Sequence, residues 1–249
     1  MGMFRLIIVA ISLLLVFIVS LICYPLSRLI WLINKHAGDV FALRFVNGYF
    51  RILTWLSGTD VEFRGTEYLP KDGEAVVYIS DHQSLFDIVT LYPKLPGLSG
   101  FVAKAEIRKW PLVSWWLTAV HSLYLDRENV RQGAAAILEG VENVKNGISM
   151  VIFPEGTRSK KNDEILPFHE GSFKLASKAK AKIIPVAIVN TAAVFEDHLP
   201  WIKRAKVIIE FCEPVDTAAL TRQELLPIPK EIHDLIEEKV KANIKEIES

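Results

Sequence analysis

The sequence predicts an α/β fold, a mixed and mostly parallel sheet flanked by helices, preceded by a membrane-associated segment of two helices. Three observations lead there. The run from Leu6 to Tyr24 carries no charge, the pattern changes after Ser57-Gly58 to short β-rich runs alternating with helical stretches, and polar clusters follow directly on two of those runs. With 249 residues, 51% of them hydrophobic, the chain can bury one principal core and still carry an accessory segment.

At 1.5 Å per residue the first apolar run would extend about 28 Å, close to the thickness of a bilayer core. It exceeds the roughly 7–15 residues of a signal-peptide core, and no A-x-A-like cleavage site follows. Bulky Ile22 before Cys23 argues against lipid attachment there, so Cys23 reads as an apolar filler. Tyr24-Pro25 is expected to interrupt the helix, and Pro25 to Leu56 then reads as an amphipathic second helix. Its Arg28, Lys35, Arg44 and Arg51, with Trp31 and Trp55, suit the headgroup layer of an anionic membrane, although a core-packing helix has the same pattern. Two geometries fit: a span followed by a surface helix, or a helical pair dipping into one leaflet. With Arg5 alone before the apolar run, a span would put the rest of the chain on the cytoplasmic face. The expected division is residues 1–58 as the anchoring two-helix segment and 59–249 as the α/β domain.

Within that domain the candidate strands are Val61–Arg64, Ala75–Ile79, Gly100–Ala103, Ser122–Leu125, Ser149–Phe153, Ile183–Val189 and Lys206–Phe211. Candidate helices are Ser84–Tyr92, Trp110–Ala119, Asn129–Lys145, Ser172–Lys180 and Lys230–Ile247. Twenty-nine basic against 29 acidic residues give no net charge, so nothing draws the chain toward nucleic acid and any anion site must be local. Two distant cysteines, Cys23 and Cys212, supply neither a disulfide framework nor a zinc cluster, and no metal site is expected.

Ligands of open α/β sheets sit beyond the carboxyl ends of strands, where both polar clusters fall. The first is Asp81-His82-Gln83-Ser84-Leu85-Phe86-Asp87. On a continuous helix His82 and Asp87 would stand about 140° apart. They can meet if His82 lies in the loop and Asp87 on the first turn of a helix capped by Ser84; Asp87 would then take the Nδ1 proton and free Nε2 to accept one from a hydroxyl. The alternative is a turn histidine beside an aspartate that only caps. The second cluster, Phe153-Pro154-Glu155-Gly156-Thr157-Arg158-Ser159, places a guanidinium fork and hydroxyls on a tight turn and could hold a phosphate monoester, or Arg158 could simply pair with Glu155. Lys104 could approach the same anion from another strand end or be merely solvated. His169, and the amides of Gly171 and Ser172, are weaker candidates; His36, His121, His198 and His233 sit in no comparable constellation.

DHQSLFD followed by FPEGTRS resembles the glycerophospholipid acyltransferase family, in particular its 1-acylglycerol-3-phosphate acyltransferases. Leu123-Tyr124-Leu125-Asp126-Arg127 resembles the family's second block and Ile184-Pro185-Val186 its fourth, so all four occur in order over roughly residues 75 to 190. The resemblance implies a fatty acyl transfer from acyl-CoA or an acyl carrier protein to the sn-2 hydroxyl of lysophosphatidic acid at a bilayer, without an acyl-enzyme and without a metal or redox cofactor. His82 would be the general base and Asp87 its orienting partner. Glu155, Gly156, Thr157 and Arg158 would bind the acceptor, with Arg127 in the same phosphate pocket. Absence of a G-x-S-x-G elbow, or of a cysteine near a histidine, agrees with this. Glycerol 3-phosphate or another lysophospholipid as acceptor, a membrane-anchored hydrolase using the same histidine and a non-catalytic anionic-lipid binder are the alternatives. The family usually has Asn where this chain has Asp81; an ionised carboxylate close to His82 would raise its pKa and weaken it as a base, unless the side chain points away.

Overall fold

The computed structural model describes residues 2–71, 73–126, 129–161 and 164–248. Two antiparallel helices, α1 (Gly2–Ile33) and α2 (Lys35–Ser57), come first. The expected break at Tyr24-Pro25 does not occur, for α1 runs through Pro25. Proline costs that helix one backbone bond, but its surroundings hold it: Ser27 Oγ donates to Tyr24 O at 2.7 Å, Tyr24 stacks on Trp115 at 5.2 Å, and Trp116 Nε1 donates to Ser20 Oγ at 3.0 Å. The turn comes at Asn34 instead, extended at φ −147°, whose side chain accepts from Ala37 N at 3.0 Å. Gly38 then passes so close to α1 that a Cβ there would lie 2.5 Å from Trp31 Cα. The second helix ends on Gly58, left-handed at φ 75°, which gives the Ser57-Gly58 boundary its physical cause.

Eight strands follow: β1 (Asp60–Arg64), β2 (Val77–Ser80), β3 (Ser99–Lys104), β4 (Leu123–Leu125), β5 (Ser149–Ile152), β6 (Lys182–Val189), β7 (Lys206–Phe211) and β8 (Val215–Asp216). The order is β1-β7-β6-β2-β5-β3-β4, with β8 paired to β6. Among the described residues five pairings are parallel and those of β6 with β7 and β8 are antiparallel, so the sheet is mixed and mostly parallel as predicted. The two-residue β8 is too short to show a period in the sequence. The remaining helices are α3 (Leu85–Leu91), α4 (Val113–Ala119), α5 (Val130–Lys145), α6 (Lys174–Ala179) and α7 (Ile228–Glu248).

Both faces of the sheet are covered, which is why its central strands read as unbroken apolar runs. Alternation along β2 shows the division: Tyr78 joins Val46 and Leu53 of α2 and Trp116 of α4 in one layer, while Val77 and Ile79 join Val144 of α5, Leu175 of α6 and Ile236 of α7 in the other. The hairpin is therefore part of a sheet-covering layer. Among the described residues only α1 is long and apolar enough to cross a membrane. Yet Ser20 and Tyr24 contact α4, Val9 is buried, and Ile11, Leu14, Ile18 and Ile22 face outward, at least half exposed.

Replacing Gly38 by Val forces a branched side chain into the backbone of α1. Overpacking of this kind should cost about 1–3 kcal/mol, read as a lower denaturant midpoint in detergent with faster proteolysis at the Asn34 turn.

Candidate active site

Three neighbouring strands, β6, β2 and β5, run parallel and end at one edge, and the loops that leave them build the site. After β2 the chain stays irregular through Gln83, and Ser84 caps α3 by accepting from Phe86 N at 2.9 Å. Capping places Asp87 on the first turn with its carboxylate turned back toward the loop. Its Oδ2 accepts from His82 Nδ1 at 2.6 Å, Gln83 N at 2.7 Å and Ser84 N at 2.8 Å; its Oδ1 accepts from Thr191 Oγ1. Asp87 is fully buried and the His82 side chain is 17% exposed. The aspartate thus caps the helix and orients the histidine together, so the two sequence alternatives were not exclusive. With Nδ1 committed to the carboxylate, Nε2 is the nitrogen left to accept a proton.

The loop after β5 supports the same histidine. Phe153 stacks on the imidazole at 4.2 Å between centroids, and Ser159 N donates to His82 O at 2.8 Å. Glu155 is not paired with Arg158. It lies beneath the loop, accepting from His82 N at 2.7 Å and Leu166 N at 2.8 Å. Burial pushes its pKa up to about 7 against the lowering effect of those two amides. Gly156 turns the chain at φ 72°, leaving Thr157 and Arg158 exposed. Arg158 Nη1 donates to Glu196 Oε1 at 2.7 Å.

Asp81 points away from His82 to Ile188 N at 2.8 Å and Gln83 Nε2 at 3.2 Å. Burial first, then the charge of Asp87, raises its pKa well above the carboxylate range. These two bonds hold the Asp81 carboxyl away from the imidazole, in the place where the resembled family usually carries an amide side chain.

Lys104 stands exposed at the carboxyl end of β3, two strands from His82. Arg127 lies outside the described residues. His169 is exposed, its backbone N bonded to Pro154 O at 3.0 Å, and Gly171 and Ser172 sit in a short 3-10 turn in which Ser172 N donates to His169 O at 3.0 Å. Among the described residues no cluster of His, Cys, Asp or Glu could hold a metal. Two site residues escaped the sequence, Thr191 and Glu196, both in the connection after β6. No local motif marks them; only the sheet order brings that connection to Asp87.

Between the hairpin and the sheet layer lies an apolar cavity of about 350 Å³, lined by residues that include Val16, Phe17, Phe45, Tyr49, Ile88 and Trp116. Trp116 packs flat on Phe45 at 4.1 Å. Trp116 lines the cavity, while Trp110 precedes α4, which begins at Val113 rather than at Trp110 as expected, and is 58% exposed.

A histidine oriented by a buried carboxylate and an exposed turn carrying Arg158 thus meet at one sheet edge, with an apolar cavity between the hairpin and the sheet, an arrangement suited to group transfer. The profile of the Acyltransferase family matches residues 60–189, and the chain belongs to that family. It is 29% identical over 188 residues to the 1-acyl-sn-glycerol-3-phosphate acyltransferase of Saccharomyces cerevisiae, covering 75% of this chain and 61% of that protein. It is likewise 29% identical over 198 residues to the Haemophilus influenzae protein of the same name, covering 77% and 79%. The crystal structure of the 1-acyl-sn-glycerophosphate acyltransferase from Thermotoga maritima shares the fold, with a TM-score of 0.78 over 97% of both chains at 24% identity.

Because the folded-state pKa of Glu155 lies above its ordinary value near 4.5, the folded protein binds the extra proton, and this contribution to stability is lost as pH rises from about 4.5 through about 7. Asp81 adds an effect of the same sign. Melting temperatures should therefore fall over that interval in the wild type and fall less in Glu155→Gln.

Proposed function

We propose that this protein transfers a fatty acyl group from acyl-CoA or an acyl carrier protein to the sn-2 hydroxyl of lysophosphatidic acid, forming phosphatidic acid. The observation that carries this is the His82–Asp87 pair, at 2.6 Å, with Nε2 free to face a hydroxyl. The names of the yeast and Haemophilus relatives supply the acceptor class.

In this mechanism His82 Nε2 removes the hydroxyl proton as the oxygen attacks the thioester carbonyl, and Asp87 stabilises the imidazolium that forms. Collapse of the tetrahedral intermediate breaks the C–S bond, and the imidazolium returns its proton to the departing thiolate. The balance needs neither a metal nor a redox cofactor. An acyl-enzyme is disfavoured by the surroundings: Ser84 Oγ donates to Glu196 at 2.5 Å and accepts from Phe86 N, while Cys212 follows β7, which runs antiparallel to β6 and so ends at the opposite edge. Arg158 would hold the acceptor phosphate with the Thr157 and Gly156 turn, and Glu155 would keep the His82 loop in place beneath it. Lys104 and Arg127 are kept as further contributors to phosphate binding. The cavity between hairpin and sheet would take acyl chain. We place the outward apolar face of α1 within one leaflet, since contacts of its Ser20 and Tyr24 with α4 are incompatible with an isolated span.

Detergent-purified protein supplied with lysophosphatidic acid and a long-chain acyl-CoA should form phosphatidic acid, measured by mass spectrometry. His82→Ala should lower kcat by roughly 10³-fold or more. Arg158→Ala should raise KM for the acceptor about 10- to 100-fold, the worth of a charge-assisted hydrogen bond. Fatty acid released without phosphatidic acid would instead identify a hydrolase, and an unaffected His82→Ala variant a role that is not catalytic.

A further inference from the structure

Glu196 lies seven residues beyond the matched family segment, in the connection between β6 and β7, and it joins the two halves of the site. Its Oε2 accepts from Ser84 Oγ at 2.5 Å and its Oε1 from Leu85 N at 2.9 Å, which fixes the carboxylate to the start of the helix that carries Asp87. The same Oε1 accepts from Arg158 Nη1 at 2.7 Å. The Glu196 side chain is 20% exposed, whereas that of Arg158 is 45% exposed.

We infer that Glu196 is a positioning residue for the acceptor: it holds Arg158 by one guanidinium nitrogen and leaves the Nε and Nη2 donors to meet the acceptor phosphate. This rests on the assignment of the phosphate to Arg158. Guanidinium has five N–H donors in a rigid fork, so a single bond to Nη1 fixes the plane without consuming the donors needed for a bidentate grip. An unpaired arginine on a surface loop would surrender rotamer freedom on each binding event; one already paired has surrendered it beforehand. Two further bonds argue against Glu196 being a placeholder that phosphate displaces. Swinging it away would strip the buried Ser84 Oγ of its acceptor, which is costly, and release Leu85 N to solvent. An ion pair this exposed contributes little to folding, so its consequence belongs in acceptor affinity rather than in stability.

The test compares wild type, Glu196→Ala and Glu196→Gln with two readouts. In steady state, Glu196→Ala should raise KM for lysophosphatidic acid about tenfold, a larger change than in kcat or in KM for acyl-CoA; Gln, whose amide oxygen can still accept from Leu85 N and Arg158, should recover most of the loss in acceptor KM. Independently of turnover, phenylglyoxal should label Arg158 faster in Glu196→Ala, and lysophosphatidic acid should protect Arg158 less in that variant than in the wild type, both followed by peptide mass spectrometry. An unchanged or lowered acceptor KM, an equal loss in both variants, or an unaltered labelling rate would overturn the positioning role. Wild-type protein that forms no phosphatidic acid yet shows the expected labelling and protection would overturn the acyl-transfer function and support the clamp.

Discussion

Burying a carboxylate is costly unless donors replace the water it loses, and Asp87 is buried completely. Four donors converge on it: a histidine ring, two backbone amides and a threonine hydroxyl. They come from two stretches of chain, residues 82–84 and Thr191. The amides of Gln83 and Ser84 fix the loop before α3, His82 takes its orientation from the same oxygen, and Thr191 ties in the connection after β6. Losing the carboxylate would leave several buried donors unmatched and release the imidazole at once. The site's geometry therefore depends on one side chain that itself never meets substrate.

Sheet topology makes that convergence possible. A parallel arrangement of β6, β2 and β5 sends three loops to one edge, so the His82 loop, the Glu155–Arg158 turn and the Thr191–Glu196 connection meet without any of them being long. Glu155 and Ser159 bond the backbone of His82 from one side, and Glu196 bonds the start of α3 from the other. Asp81 completes the support by tying the loop to β6 through Ile188. The α1–α2 hairpin then covers the sheet layer and, together with Ile88 of α3 next to Asp87, lines the apolar cavity.

Much of this was readable from residue order because the signals are local. A strand ending in a polar cluster, Ser84 before an apolar helical run, and Ser57-Gly58 between two periodicities each carry their cause in a few neighbouring residues. His82 and Asp87 could be paired from spacing once Ser84 was taken as the cap. What escaped is non-local. Pro25 fails to break α1 because Trp115 and Trp116, far along the chain, hold that helix. Thr191 and Glu196 are ordinary loop residues until the strand order sets them against α3. Arg158 has an available local partner in Glu155, and only burial of Glu155 beneath His82 explains why Glu196 is the partner instead.

Asp87→Asn tests the central dependence most directly, since it keeps the shape of the side chain while placing an amide donor among four groups that donate. Single-turnover acyl transfer to lysophosphatidic acid should fall by roughly two to four orders of magnitude, with near-wild-type acceptor binding. A rate within a few-fold of the wild type would contradict the account, for His82 would then be shown to act without the buried carboxylate that organises everything around it.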